Sequence, residues 1–388
     1  MRFILHIGQS KSGTTSLQAF LAENRPALAA AGICYPDVER NGIPLKVQDH
    51  NPVAEELSGI HRHPHLSAEE YFTQFREQAA KAGCQTILLS GESFFGAPHI
   101  WTLSKAEDFY ASHKKKLERL KALLAGDECQ IIVYLRPQDD WLESAIGQVI
   151  RYEGLLGRRI YENDNQLADL LAPHLDYAAI LDLWRDILNP AQLTVIPFER
   201  TALKDGDTVA DFLQRLDLRS FSPSPATKTG ERHHASWGRD TLTLKKILNR
   251  IPKTKTAERT IVALLNDQDR HCGNHRRLRL DHGLRFAIRE KYAALNRKLA
   301  DQYGVRGTSF FGETDQASPA DREPLQTPDE TIAALIAFET RYFTLSRFLR
   351  YTMLQLKTYL RNKMPVVHAM ARRARLYLYP PSTSKKPS

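Results

Sequence analysis

The stretch GQSKSGTTSLQAF, residues 8–20, gathers the residue types best suited to holding an anion. Gly8 and Gly13 keep the glycine spacing of a nucleotide-triphosphate loop, G-x-x-x-x-G-K-[ST]. Thr14 rather than lysine follows Gly13, however, and the lysine, Lys11, stands two residues before it. A glycine-rich turn between a strand and a helix aims several backbone N–H groups at one place, at the positive end of the helix dipole. Ser12, Thr14, Thr15 and Ser16 add hydroxyl donors to the same turn. A bound triphosphate also requires Mg²⁺ and an aspartate at the end of a second strand to hold it. The residues that close the later apolar runs are Ser90-Gly91-Glu92, Arg136 and Glu199-Arg200, so that aspartate is missing. A lysine ahead of the second glycine instead suits the bridging oxygen of a single phosphate that carries another group.

The elements that must position this loop are legible from hydropathy. RFILHIG (2–8) is a short apolar strand running into the glycine turn, and TSLQAFLAENRPALAAAG (15–32) has helical spacing that stops at Gly32. QTILLS (85–90), CQIIVYL (129–135) and QLTVIPF (192–198) are further strands, separated by long amphipathic stretches such as KKKLERLKALLAG (114–126). Apolar strands alternating with helices predict an α/β fold, a parallel sheet covered on both faces. Ligands of such sheets bind beyond the carboxyl ends of the strands. The residues following each run are therefore the ones to inspect.

In that setting SKSGTTSLQ resembles the 5′-phosphosulfate loop of the sulfotransferases that use 3′-phosphoadenosine-5′-phosphosulfate (PAPS), which reads P-K-[SAT]-G-T-T; Ser10 stands where proline is usual. The resemblance assigns Ser10, Lys11, Ser12, Gly13, Thr14, Thr15 and Ser16 to the donor nucleotide, and implies a P-loop-like sheet. The family's second element, an arginine at a strand end followed eight residues later by a serine, is matched by Arg136 and Ser144 in YLRPQDDWLES. A forked, charge-assisted arginine contact and a serine opening the next helix suit a terminal 3′-phosphate. Carbohydrate-acting members place a glutamate after the second strand as general base, which points to Glu92 in LLSGESFF; cytosolic members use a histidine, which points to His50 in VQDHNP. A positioned base contributes about 10²–10⁴-fold in rate. Lys11 would assist the leaving group, since negative charge builds on the oxygen beside it as the sulfuryl group departs. The implied reaction moves a sulfuryl group from PAPS, without metal or covalent enzyme intermediate, to a hydroxyl or amine of a glycan or glycolipid. The resemblance covers about residues 1–310, with TVIPFER, DFLQRLDL and KYAALNRKLADQYG (291–304) as softer matches. A late basic loop, ATKTGERHHASWG (226–238), offers Lys228 or Arg232 to the nucleotide, but the match is poor and a solvated loop explains it better. Acceptor selectivity is expected from loops 36–75 and 145–175. A Mg²⁺-dependent kinase or nucleotide triphosphatase, and a non-catalytic domain binding a membrane or polyanion, are the competing readings.

Composition bounds the remainder. The 388 residues include 42% apolar ones, enough for a sizeable core, and no apolar run is long enough to span a bilayer. No secretory signal precedes the first strand, and Cys34, Cys84, Cys129 and Cys272 lack disulfide or C-x-x-C spacing, so a cytoplasmic setting is expected. The net charge of +9 is uneven: 11 of the 54 basic residues and none of the acidic ones lie beyond residue 340, which leaves 43 basic against 45 acidic before it. A nearly neutral body argues against nucleic acid as the main partner. FGETDQASPADREPLQTPDE (311–330) reads as an acidic, Pro-containing linker, and 331–388 as a basic helical extension suited to an anionic membrane surface, on the inner face of the membrane, or to packing on the domain. The histidines of HRHPH (61–65), RHCGNH (270–275) and the pair His233-His234 lack the second element of a metal site, so no metal is expected.

Overall fold

The computed structural model describes residues 1–311 apart from 41–42, 45–47, 61–65, 97–105, 157–159, 219–236, 251–253, 272–279 and 304–309. The chain divides into two units, Met1–Pro324 and Leu325–Ser388. The linker beyond Phe311, the basic extension, the loop bearing Lys228 and Arg232, His233-His234, HRHPH and most of RHCGNH lie outside the described residues.

In chain order the elements are β1 (Arg2–His6), α1 (Thr14–Glu23), α2 (Arg25–Ala30), β2 (Ile33–Cys34), the short pair β3 (Glu39–Arg40) and β4 (Ile43–Pro44), α3 (Asn51–Leu57), α4 (Ala68–Lys81), β5 (Thr86–Ser90) and α5 (Ser93–Gly96). They continue with α6 (Ala106–Leu123), β6 (Glu128–Leu135), α7 (Gln138–Tyr152), α8 (Asp164–Leu175), α9 (Tyr177–Leu183), β7 (Gln192–Pro197) and α10 (Thr208–Arg215). The helices α11 (Arg239–Asn249), α12 (Lys255–His271) and α13 (His282–Tyr303) follow. The five strands of the main sheet run parallel in the order β2-β5-β1-β6-β7, with His6 level with Ser90 on one side and Ile132 on the other.

Both faces of the sheet are covered, which is why its strands read as continuous apolar runs. Side chains alternate across a strand. Phe3, Leu5 and Ile7 of β1 and its exit therefore join Ile131, Val133 and Leu135 of β6 in the core beneath α3, α4, α6 and α9. Ile4, Ile132 and Tyr134 face the opposite core with Leu17, Leu21 and Phe212 of α1 and α10. The segment 15–32, expected as one helix, breaks at Asn24 into α1 and α2. Pro26, at the start of α2, has no N–H to extend the helix, and the Asn24 side chain donates to the Phe20 carbonyl at 2.8 Å. The two-residue strand β2 was not anticipated; two residues carry too little periodicity to be seen.

The strand order creates a switch point. From β1 the chain turns toward β2 on one edge, whereas from β6 it proceeds toward β7 on the other. The loops leaving β1 and β6 therefore part, and in sheets of this kind the crevice that takes a ligand lies at the carboxyl ends of those strands.

Candidate functional site

The loop from Ile7 to Gly13 rests in this crevice and is fixed from beneath by Gln9, a buried residue. The Gln9 N–H donates to the Tyr134 carbonyl at 2.9 Å, its side-chain oxygen accepts the Arg136 N–H at 3.2 Å, and its Nε2 donates to the Tyr177 hydroxyl at 3.1 Å. Tyr177 in turn donates to the Arg136 carbonyl at 2.9 Å. Gln9 thus joins the end of β6 and the start of α9 to the loop. The Ser12 hydroxyl closes the turn by donating to the Gln9 carbonyl at 2.5 Å, so it serves the loop itself rather than adding to the donors of the turn. From α7, Trp141 Nε1 donates to the Ser10 carbonyl at 3.1 Å.

Two backbone conformations shape the top of the loop. Gly13, at φ 75°, is left-handed, and a Cβ there would lie 3.1 Å from Thr208 Oγ1 and 3.3 Å from the Phe198 ring. Lys11 is also left-handed, at φ 70°, a conformation uncommon for a residue with a side chain. The consequence is electrostatic. The backbone N–H groups of Ser10 through Ser16 donate to no described residue; the first helical bond of α1 runs from Leu17 to the Gly13 carbonyl, and no side chain caps the helix. The first turn of a helix leaves its amides without intrahelical partners, and when a glycine turn adds further amides to them the row can form an anion-binding concavity.

Cations surround that row. Arg136 leaves β6 and its Nη1 donates to the Lys11 carbonyl at 3.4 Å. The Lys11 ammonium is held down to about 8 by burial first, then by the positive charge of Arg151 and, more weakly, of Arg136, while Glu92 pulls it up. Arg151 was not anticipated. It lies on α7 ten residues past Trp141, and Trp141, Ser144 and Arg151 share one helix face by the 3.6-residue period. Ser144 does not open that helix, as expected, but sits about two turns inside it, on the face that Trp141 turns to the loop. The signal was present in the spacing; nothing in the sequence said which face of the helix meets the loop.

Glu92 follows β5 directly and is half-buried. A Cβ on Gly8 would stand 3.0 Å from the Glu92 Cα, so the glycine is what lets the loop and the β5 exit lie side by side. Gln18 of α1 donates to Glu92 Oε2 at 3.0 Å, fixing the carboxylate and leaving Oε1 to other partners. Asp49 lies in the same electrostatic neighbourhood: burial and then the charge of Glu92 push its carboxyl up to about 6.

His50 is arranged differently from the expected base. It is buried, its Nδ1 accepts the Ser90 N–H at 3.1 Å, and its Nε2 lies 3.1 Å from the Pro36 carbonyl. These partners fix the neutral tautomer with the proton on Nε2, and both ring nitrogens are taken up by backbone. Packed edge-on against Tyr35 and Phe75, the imidazole is held down to about 4 by burial. Its work is to tie the segment before α3 to the end of β5. Asn51 extends the tie, accepting the Ser93 N–H at 2.8 Å. His6, also buried, spends its Nδ1 on the Ser90 hydroxyl at 2.7 Å.

The candidate residues therefore divide. Ser10, Lys11, Gly13, Thr14, Thr15 and Ser16 form the loop and the start of α1, Arg136 bonds it, Glu92 lies against Gly8, and Ser144 sits on α7, whose Trp141 bonds the loop; Ser12 and His50 instead spend their polar atoms on backbone. Such an arrangement has the chemistry to take up an anion, with amides that have no described partner and cations beside them, and a carboxylate next to the loop. Among the described residues no group of three or more histidine, cysteine, aspartate or glutamate side chains is placed to hold a metal ion, and no helix is long and apolar enough to cross a membrane.

No family model matches the chain. It is similar to an uncharacterized protein of Archaeoglobus fulgidus, at 23% identity over 221 residues, which is 57% of this chain and 58% of that relative. The chain thus spans less than two thirds of the relative's length.

Proposed function

We propose that this protein is a PAPS-dependent sulfotransferase with a P-loop-like sheet, acting on a hydroxyl of a glycan or glycolipid. The observation that carries the reading is the row of unpaired amides from Ser10 through Ser16 with Lys11 in its middle and Arg136 against it. These residues fit the donor. The amides and Lys11 suit the 5′-phosphosulfate, and Arg136 with Ser144 suits the 3′-phosphate, as the resemblance to the family implies. PAPS supplies the sulfuryl group and leaves as 3′-phosphoadenosine-5′-phosphate (PAP).

Each residue has one task. Lys11, protonated below about 8, presents its charge to the oxygen from which the sulfuryl group departs, where it counts more in the transition state than before it. Glu92, oriented by Gln18, accepts the proton of the attacking hydroxyl at its free oxygen. Gln9 and Tyr177 keep the loop and Arg136 in register, so that the two ends of the donor meet fixed partners. The basic extension is proposed to hold the protein on the anionic cytoplasmic face of a membrane.

The test is calorimetric titration with PAP, and in parallel with ATP plus Mg²⁺, on wild type and Arg136→Ala. PAP is expected to bind, and the substitution to weaken it by about 10–100-fold, the loss of charge-assisted hydrogen bonds worth about 1.5–3 kcal/mol. Binding of ATP alone, and only with Mg²⁺, overturns the reading.

A further inference from the structure

Tyr177 ties the loop down, and the tie is only as firm as the packing of its ring. The Tyr177 hydroxyl accepts from Gln9 Nε2 at 3.1 Å and donates to the Arg136 carbonyl at 2.9 Å, so the place of this one ring sets where the loop and the end of β6 meet. The residue opens α9 and is fully buried. Its ring has two aromatic neighbours. Phe95 lies edge-on to it with centroids 6.1 Å apart. That phenylalanine belongs to α5, three residues after Glu92, and its N–H donates to the Ile7 carbonyl at 3.2 Å, just before the loop. Phe311 is the second neighbour, at 6.5 Å and an interplanar angle of 74°.

Phe311 arrives from far along the chain. With Phe310, whose ring is 4.9 Å away and nearly perpendicular, it follows α13 and heads the acidic, Pro-containing segment 311–330. Neither residue belongs to a helix or strand, yet Phe310 is 1% and Phe311 5% exposed. Both enter the core that holds Tyr177, Phe95 and Trp184, beside Leu299 and Ala300 of α13. Burial of two phenyl rings seats such a segment without a ladder of backbone bonds. Edge-to-face contact at these distances also favours one orientation of the rings. The seat they take is the ring of the residue that holds the loop.

We propose that Phe311, seated with Phe310, is a positioning residue of the donor site: it packs the Tyr177 ring in place, and through the Tyr177 hydroxyl it keeps Gln9, Arg136 and the loop in the geometry that grips the donor. The segment 311–330 therefore begins at a residue on which donor affinity depends. This goes beyond the sulfotransferase reading and rests on it for the ligand.

The experiment is calorimetric titration of full-length protein with PAP between pH 6.5 and 9.5. It compares wild type, Phe311→Ala, Phe311→Leu, Tyr177→Phe and the double variant Tyr177→Phe with Phe311→Ala, with urea unfolding of each alongside. Phe311→Ala and Tyr177→Phe should each weaken PAP by about fivefold or more. Phe311→Leu, which refills much of the space, should bind within about twofold of wild type. Because both changes interrupt one path, the double variant should bind no more than about twofold weaker than Tyr177→Phe alone. The pH profile separates positioning from loss of stability. A loosened loop exposes Lys11, whose ammonium is held down to about 8 chiefly by burial, with Arg151, Glu92 and Arg136 unchanged around it. The decline in affinity should therefore begin at higher pH in Phe311→Ala than in wild type. Unchanged affinity in Phe311→Ala, losses that add in the double variant, or a decline that stays near pH 8 overturns the proposal and leaves the pair as core packing. Should Phe311→Ala fail to fold, Phe311→Val takes its place in the same comparisons. Failure of wild type to bind PAP would remove the sulfotransferase reading, and this inference with it.

Discussion

Two residues in the loop lend themselves to direct tests. Lys11 titrates near 8 in the folded protein, below its ordinary value of 10.5, because burial and the neighbouring arginines disfavour its charge. A bound anion favours the charged form and raises that value, so binding and protonation are linked. PAP affinity should be level below about 8 and then fall, by up to tenfold per pH unit, as the free ammonium loses its proton. Lys11→Met should bind weakly throughout and lose the decline, as calorimetry between pH 6.5 and 9.5 would show. Folding has the opposite sign: Lys11 binds its proton less tightly folded than unfolded, so its penalty on stability is full below about 8 and lifts as the pH rises toward 10.5. Gly13 gives a test of conformation. An alanine there meets the left-handed φ of 75° and the Phe198 ring at 3.3 Å. Gly13→Ala should destabilise the protein by at least about 1–2 kcal/mol in urea unfolding and abolish PAP binding.

At the scale of elements, the helical pair α11–α12 is anchored to α7 and the turn after it. Asn249 donates to the Ile150 carbonyl at 2.7 Å and to Glu153 at 2.6 Å, while Glu153 accepts the amides of Ile160 and Tyr161. Between α11 and α12, Lys245 and Glu258 form a fully buried ion pair at 2.6 Å, and Gly154 is small enough to admit the Glu258 carboxylate against its backbone. Removing one partner of a buried pair strands the other charge. Glu258→Leu should therefore cost about 3–5 kcal/mol in denaturant unfolding, and the double substitution Lys245→Met with Glu258→Leu should recover much of it. An additive double variant would show that the two charges are not coupled.

For the whole molecule, the charge distribution sets the expectation. The body is nearly neutral, and the 11 basic residues beyond residue 340 stand without an acidic one. Attraction to an anionic surface amounts to about 1 kcal/mol per cation near it and is screened by salt. Full-length protein should sediment with vesicles containing phosphatidylserine at low salt and be released at high salt. A chain ending at residue 324 should remain in the supernatant while keeping its affinity for PAP. Equal sedimentation of both would place membrane binding elsewhere.

The sequence by itself determined the parallel sheet, because strands buried on both faces must be apolar throughout, as in FILHI, TILLS and IIVYL. It also marked the loop from Gly8 to Ser16, Arg136 and Glu92, since glycine spacing and strand ends are local signals. Only the tertiary structure decided what those residues do to one another. His50 stands just before α3 and Glu92 just after β5, but packing buried the histidine with both nitrogens on backbone carbonyl and amide and left the carboxylate half-buried beside the loop. Gln9, Trp141, Gln18 and Arg151 carry no motif; they matter because β1 and β6 are neighbours and because one face of α7 meets the loop. Burial and charge act across space between residues far apart in the chain, and a linear pattern records neither.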